Sequence, residues 1–385
     1  MELLRVLVVG ILISWVLRVG GEEVMASQPG DIPAIYNFGD SNSDTGGIAA
    51  AFFPMAAPCG ETFFGRPVGR ASDGRLIIDF IAEHLKLPYL SPYLDSIGTK
   101  FQQGANFATG GATIRRQNES WFQNGVSPFP LDIQIEHYDQ FKARTSYLYN
   151  QAKEPSDRSN LPNPEDFSKA IYIFDIGQND LAVGFRTMSD EQLQAAIPDI
   201  VNQFAAAVQQ LYKKGARAFW IHNTGPIGCL PVTTVNIHNP TPGYLDEHGC
   251  VKGQNDIAIE FNRQLKGRVT KLRAELPQAA LTYVDIYSAK YGLISNAKNQ
   301  GFEEAFKICC GHHENGISIW CGQKGNINGR EVYGDSCANP SKVISWDGVH
   351  FSESANLWIA NQIMNGSLSD PPIPITKASS YTKHM

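Results

Sequence analysis

The sequence contains no apolar run long enough to cross a membrane. Its longest run, from Val6 to Leu17, has twelve residues, whereas a spanning helix needs about twenty. A basic patch is missing as well, because 38 Asp and Glu outnumber 32 Lys and Arg and the net charge is −6. We therefore expect no transmembrane segment and no nucleic-acid partner.

Compositional bias is also absent. Of the 385 residues, 43% are hydrophobic, 18% charged and 10% aromatic, which excludes a disordered, collagen-like or coiled-coil chain. No fixed-period repeat and no linker-like break divides the sequence. We expect one globular domain over residues 27–385, with long loops and a short tail after about residue 372.

The N-terminal apolar run has the form of a secretory signal. Arg5 precedes it and Arg18 follows it, and Val24 and Ala26 occupy the small-residue positions of a cleavage site. Residues 1–26 are therefore predicted to be a signal peptide, the alternative being a membrane anchor.

Seven cysteines suit an oxidising compartment, in which they are expected to pair and leave at least one thiol over. Cys229 and Cys250 bracket a segment rich in Pro, Asn and Gly that they are predicted to close, and Cys59 is the candidate for the unpaired thiol. Three pairings remain open for the other four, Cys309, Cys310, Cys321 and Cys337. The Cys-Cys-Gly-His-His run at 309–313 has no zinc-finger spacing, so disulfides are favoured over a metal site.

Short β-branched or aromatic runs alternate with longer amphipathic patterns. Strands are predicted at 34–38, 170–176, 218–222 and 280–286, with a weaker one at 104–108. A helix is expected to begin near Pro198, because an internal proline removes a helical hydrogen bond, and to end at Gly215. This alternation predicts an α/β fold with a parallel sheet between two layers of helices.

Polar segments follow the first two of these strands along the chain, where an open α/β sheet binds its ligands. The segment 39–44 offers Ser41 as a nucleophile, the alternative being that Ser41 or Asp44 only caps the next helix. The segment 106–113 contains two adjacent glycines. Their N–H groups either approach a bound atom or only shape a turn.

Two further segments carry polar side chains. In 174–180, after the most strand-like run, Asn179 is expected to point its amide into a cleft, while Asp180 has a capping alternative. In 346–352, Asp347 precedes His350 by three residues. That spacing lets the carboxylate reach the imidazole Nδ1–H and leaves Nε2 facing outward, although a lone histidine is more often structural.

Taken in this order, the four segments resemble those of the SGNH hydrolase superfamily, specifically the plant GDSL esterase/lipases. The similarity covers roughly residues 32–372 and includes the stretches 33–41, 72–80 and 224–230. Early-nodulin-like and lanatoside-esterase-like members look closest. The resemblance implies a flavodoxin-like, three-layer α/β/α fold with a central, mostly parallel sheet.

The resemblance also implies roles for single residues. Ser41 would be the nucleophile, and Asp347 and His350 would complete a catalytic triad. The oxyanion hole would be formed by Ser41, Gly111 and Asn179, with Gly110 as the second choice for the glycine donor. This chemistry needs no metal or cofactor.

Two features depart from the family pattern. Asn42 stands where the family motif has leucine, a change that should not move the neighbouring hydroxyl. A second Gly-Asp-Ser block at 334–336 lies in the cysteine-rich region without a strong strand before it, and we treat it as a decoy. The G-x-S-x-G motif of α/β-hydrolases is absent.

The function implied is that of a secreted carboxylic ester hydrolase with an acyl-enzyme intermediate. It would release short acyl groups, above all acetyl, from a glycoside, a cell-wall polysaccharide or a specialised metabolite. Alternatives are an acyltransferase, a lipase for longer chains and a silent extracellular binding protein. The expected destination is the apoplast or cell wall, or else the vacuole or Golgi. Asn118 and Asn365 each begin an Asn-x-Ser glycosylation sequon and are expected to carry N-glycans only if they are exposed. Loop aromatics in 50–74 and 112–133 either wall a binding cleft or plug the loops onto the core.

Overall fold

The computed structural model describes residues 32–119, 121–314 and 316–379. The predicted signal peptide, residues 1–26, lies outside the described residues, and so does Ser120 of the first glycosylation sequon. Within the described ranges, no helix combines the length and the apolar character needed to cross a membrane.

A six-stranded sheet forms the centre of the fold. The central sheet contains β1 to β5 and β10, and β6 to β9 form two separate hairpins. In chain order the strands are β1 (Ile35–Gly39), β2 (Gly104–Asn106), β3 (Ile171–Asp175), β4 (Ala218–His222), β5 (Ala280–Val284), β6 (His312–Glu314), β7 (Ile317–Ile319), β8 (Lys324–Ile327), β9 (Arg330–Tyr333) and β10 (Ser369–Asp370). The sheet order is β10-β5-β4-β3-β1-β2, with β1 to β5 parallel and β10 antiparallel to β5. The predicted, mostly parallel sheet is confirmed.

Helices cover both faces of this sheet. They are α1 (Gly47–Ala51), α2 (Ile77–His84), α3 (Trp121–Asn124), α4 (Leu131–Gln151), α5 (Pro155–Arg158), α6 (Gln178–Thr187), α7 (Asp190–Lys213), α8 (Pro231–Thr234), α9 (Lys252–Glu275), α10 (Ile286–Ser295) and α11 (Glu353–Met364). Successive strand residues point to opposite faces. Tyr36 and Phe38 accordingly belong to the buried cluster that includes side chains of α4, α7 and α9. Ile35 belongs to the cluster on the other face, with side chains of α2, α10 and α11. The fold is therefore the three-layer α/β/α sandwich that was predicted.

The expected start of a helix near Pro198 is wrong, because this proline lies inside α7. The helix begins eight residues earlier, after Ser189, whose hydroxyl accepts from Gln192 N while the Gln192 side chain accepts from Ser189 N. Leu193 and Ile197 are buried ahead of the proline, which is itself exposed. Gln194, whose carbonyl would accept from residue 198 in an uninterrupted helix, is exposed as well, and apolar burial on the other side sustains the helix.

Three disulfides are formed: Cys229–Cys250, as predicted, and the pairs Cys309–Cys337 and Cys310–Cys321 that the sequence left open. Cys59 is buried and unpaired, as predicted. The last two disulfides brace a segment carrying the antiparallel hairpins β6–β7 and β8–β9, where Cys309 and Cys310 pack with Trp346 in a small core. That core fixes the chain immediately before Asp347.

Candidate active site

The carboxyl ends of β1 and β3 meet at one edge of the sheet, since the strands are parallel neighbours with Gly39 opposite Asp175. The loops that leave this edge meet the turn before α11 around a cavity of about 520 Å³. The predicted site residues among those that line it are Ser41, Gly110, Gly111, Asn179, Asp347 and His350. Folding therefore brings all of them together.

Ser41, His350 and Asp347 form one hydrogen-bonded chain. Ser41 Oγ lies 2.7 Å from His350 Nε2, and His350 Nδ1 lies 2.6 Å from Asp347 Oδ2. Asp347 Oδ1 accepts from the backbone N–H groups of Val349 at 3.0 Å and His350 at 2.8 Å. Because an ionised carboxylate only accepts, Nδ1 is assigned the hydrogen and Nε2 presents its lone pair to the serine.

The electrostatics of this chain favour an ionised carboxylate beside a basic imidazole. Burial raises the pKa of Asp347, but His350 and the backbone donors outweigh it and lower the pKa below its ordinary value. Burial lowers the pKa of His350, but the Asp347 carboxylate outweighs it and raises the pKa above its ordinary value. The imidazole is thus tuned toward accepting a proton from the serine hydroxyl.

The family-like stretch that starts at Ser72 holds the histidine turn in place. Ser72 Oγ donates to Phe351 O at 3.0 Å, and Asp73 Oδ1 accepts from Glu353 N at 2.7 Å. Glu353 is the first residue of α11, so this helix starts at a fixed point shortly after His350.

Asp44 ties the serine loop to the glycine pair. Its carboxylate accepts from the N–H groups of Gly46, Gly47 and Ile48 around the start of α1, and from Gly110 N at 2.7 Å. Asp44 therefore caps α1, as the alternative expected, but it also holds Gly110. The capping alternative does not apply to Ser41, whose hydroxyl contacts the imidazole instead.

Ser41 and Gly111 differ from Gly110 in the hydrogen bonding of their backbone N–H groups. Among the described residues, Ser41 N and Gly111 N donate no hydrogen bond, whereas Gly110 N is committed to Asp44. Gly111 is therefore better placed than Gly110 to donate to a ligand. Only glycine fits at 111, because φ is +79° and a Cβ would lie 1.9 Å from Gly125 O.

Asn179 sits on the first turn of α6 and its amide nitrogen is held at two points. Nδ2 donates to Asp40 Oδ2 at 3.2 Å and to Ala112 O at 3.0 Å. Both amide hydrogens are thereby engaged. An anionic oxygen in the cleft would receive one of them in place of its present acceptor.

Asp180 holds a neighbouring loop and does not cap its own helix. Its carboxylate accepts from Ile114 N at 2.8 Å and Arg115 N at 3.0 Å, shortly after the glycine pair. Burial raises the pKa of Asp180 to about 7 in spite of these donors. The loop that carries Gly111 is therefore fixed from both ends, by Asp44 and by Asp180.

A group of buried charges next to Ser41 was missed by the sequence analysis. Asp40 is 1% exposed and Lys290 of α10 is 2% exposed. Asn42 links them, since its Nδ2 donates to Asp40 Oδ1 at 2.9 Å and its Oδ1 accepts from Lys290 Nζ at 3.5 Å. Burial and the nearby Asp175 raise the pKa of Asp40 to about 6. The available signal was a lysine within the apolar stripe of α10.

The second Gly-Asp-Ser block at 334–336 does not line the cleft. It follows β9 and precedes Cys337, which is bonded to Cys309. Among the described residues, no group of three or more His, Cys, Asp or Glu side chains is arranged to hold a metal ion.

Comparison with known proteins identifies similar chains. The family described as GDSL-like Lipase/Acylhydrolase matches residues 35–363. A GDSL esterase/lipase of Arabidopsis thaliana is 62% identical over 90% of this chain and 89% of its own. The GDSL esterase/lipase ACHE of Zea mays is 49% identical over 90% and 88%, and ENOD8 of Medicago truncatula is 46% identical over 92% of each.

Solved structures are much more distant. A catalytic mutant of an acetylxylan esterase from Geobacillus stearothermophilus aligns over 86% of this chain and 91% of its own, with 12% identity and a TM-score of 0.34.

Proposed function

Because this chain belongs to the GDSL-like lipase/acylhydrolase family, it is a carboxylic ester hydrolase, and we propose that it works through an acyl-enzyme on Ser41. The observation that carries the proposal is the 2.7 Å contact between Ser41 Oγ and His350 Nε2, with Asp347 bonded to the far side of the ring. A serine hydroxyl needs such a base to act as a nucleophile.

In the first half of the proposed reaction, His350 Nε2 takes the Ser41 proton as Oγ attacks the acyl carbonyl. The oxyanion is met by the N–H groups of Ser41 and Gly111 and by the Asn179 amide. The carbon–oxygen ester bond then breaks, and His350 returns the proton to the departing alcohol. In the second half, His350 takes a proton from a water molecule that attacks the acyl carbon. The bond to Ser41 Oγ breaks, the carboxylic acid leaves, and His350 returns the proton to Ser41, while Asp347 stabilises the imidazolium in each step.

The proposed substrate is a short-chain ester, above all an acetate, of a glycoside, a cell-wall polysaccharide or a specialised metabolite. This proposal rests on the family resemblance. A lipase with longer acyl chains is the second candidate. It is favoured by the apolar side chains in the cleft lining, such as Ile48, Met55 and Val349.

A p-nitrophenyl ester series from acetate to decanoate tests both proposals. We expect turnover to be highest for acetate in the wild type and abolished by Ser41→Ala. Ser336→Ala is the matched control, because it alters the decoy Gly-Asp-Ser block and should retain wild-type turnover. A fluorophosphonate should label the wild type and Ser336→Ala but not Ser41→Ala. Near-native turnover in Ser41→Ala would refute the acyl-enzyme, and a maximum at decanoate would refute the acetyl preference.

Hydrolysis and acyl transfer share the proposed acyl-enzyme and differ in the acceptor. Product analysis with a candidate alcohol present separates them. Free acid alone supports the hydrolase, whereas a new ester that requires Ser41 supports an acyltransferase. The two outcomes differ because transfer needs a site that excludes water and binds the acceptor.

The proposed route is secretion to the apoplast or cell wall, with residues 1–26 removed. Asn118 and Asn365 are both exposed, which suits the proposed N-glycans. Terminal sequencing of the protein from culture medium should begin at Ser27. Enzymatic deglycosylation should lower the mass of the wild-type protein, and the loss of mass should be smaller in Asn118→Gln and in Asn365→Gln. No loss of mass from the wild type would contradict the proposed glycans.

A further inference from the structure

Two aromatic side chains remain exposed in the wall of the catalytic cleft. Of the large apolar side chains that are exposed in the described residues, Trp320 at 40% and Phe53 at 51% are the ones that line this cleft. Exposed aromatic surface forgoes the free energy of burial, and a patch of it within a binding cleft marks a site for a ligand. The two residues come from different loop regions, the 50–74 loop and the cysteine-braced hairpins.

Trp320 is held rigidly. It follows β7 directly, and Cys321, the next residue, is bonded to Cys310. The His313 ring packs edge-on against the indole with 4.9 Å between ring centroids, and Ser318 fixes that ring through a 3.1 Å hydrogen bond to Nδ1. A rigid aromatic surface loses little conformational entropy when a ligand covers it.

The remaining lining indicates what kind of ligand fits. Among the described lining residues none is Lys or Arg, so no permanently charged cation faces a phosphate or a carboxylate group there. Gln323 and Asn124 also line it and are exposed, and their amides both donate and accept hydrogen bonds. Flat aromatic faces together with neutral amides suit a ring that has C–H faces and hydroxyl edges, which is the chemistry of an uncharged sugar.

We propose that Trp320 and Phe53 form a stacking subsite for a neutral sugar ring in the alcohol part of the ester, with Gln323 and Asn124 hydrogen-bonding its hydroxyl groups. The subsite rests on the proposed function, because it places the sugar beside Ser41. It extends that function by assigning specificity to residues outside the catalytic chain.

Kinetics on two acetate esters test the subsite. One is an O-acetylated neutral methyl glycoside, and the other is ethyl acetate, whose alcohol has no ring. Trp320→Ala should raise KM for the glycoside about tenfold relative to KM for ethyl acetate, the size expected for one aromatic stacking contact. Trp320→Tyr should restore most of the difference. Tyr147→Ala removes a side chain that is 65% exposed on α4, outside the cleft, and serves as the matched control.

Binding measured without turnover separates the subsite from the proposed function. Calorimetry of Ser41→Ala with the acetylated glycoside should give a Kd that rises about tenfold in Ser41→Ala/Trp320→Ala. If the Kd rises in this way but the wild-type protein hydrolyses no ester, the subsite is retained and the acyl-enzyme is rejected. Equal KM changes for both esters, or a larger change for ethyl decanoate than for the glycoside, would overturn the subsite.

Discussion

Replacement of Asp347 by asparagine should invert the hydrogen bonding along the catalytic chain. Asp347 Oδ1 accepts from two backbone N–H groups, so an asparagine would keep its carbonyl oxygen there. Its amide nitrogen would then donate to His350 Nδ1, where Oδ2 now accepts at 2.6 Å. The ring hydrogen would move to Nε2, which would donate to Ser41 Oγ and no longer accept its proton.

The expected cost is large. Loss of the correct tautomer in a Ser-His-Asp site lowers kcat about 10⁴-fold, equivalent to about 5.4 kcal/mol of activation free energy. The acid limb of the pH profile should move as well. His350 must be neutral to act as a base, so kcat/KM falls as the pH drops through its pKa. The Asp347 charge raises that pKa, and its removal should shift the limb to lower pH.

Ester turnover between pH 4 and 9 measures both effects, with urea denaturation of each variant as a check on folding. Asp335→Asn alters the exposed acid of the decoy block and should match the wild type. A loss smaller than about tenfold in Asp347→Asn, with the acid limb unmoved, would refute the assigned tautomer.

Three further changes have defined outcomes. Asn179→Ala should lower kcat about 100- to 1,000-fold with little change in KM, because we propose that the amide donates to the oxyanion; an unchanged kcat would remove Asn179 from that role. Lys290→Met should raise the pKa of Asp40 above about 6, because it removes a nearby positive charge. The acid limb of kcat should move to higher pH, since a protonated Asp40 is no longer an ionised acceptor for the Asn179 amide; an identical pH profile would contradict this link. Cys229→Ser/Cys250→Ser should lower the free energy of unfolding by about 3 kcal/mol, by opening a loop of 21 residues, while kcat stays unchanged; unchanged urea denaturation would contradict it.

Local sequence pattern was sufficient for the layers of the fold. Strand residues such as Tyr36 and Phe38 are apolar and lie between polar turns, so β1 and the other long strands were found to within a few residues. Pro198 lies inside α7 because the capping box at Ser189 and the burial of apolar side chains outweigh the cost of an internal proline, and this burial is a tertiary effect. The pairing among the last four cysteines required coordinates, since sequence spacing does not determine which sulfur atoms meet.

The sequence by itself determined the set of candidate chemical groups, because a serine at a strand end and an Asp-x-x-His turn are short patterns whose residues lie close along the chain. Tertiary structure decided what connects those patterns. The contact between Ser41 and His350 joins residues 309 positions apart, and the burial of Lys290 depends on which strands and helices pack around it. Distances and desolvation of this kind arise from packing, and no local run of residues specifies them.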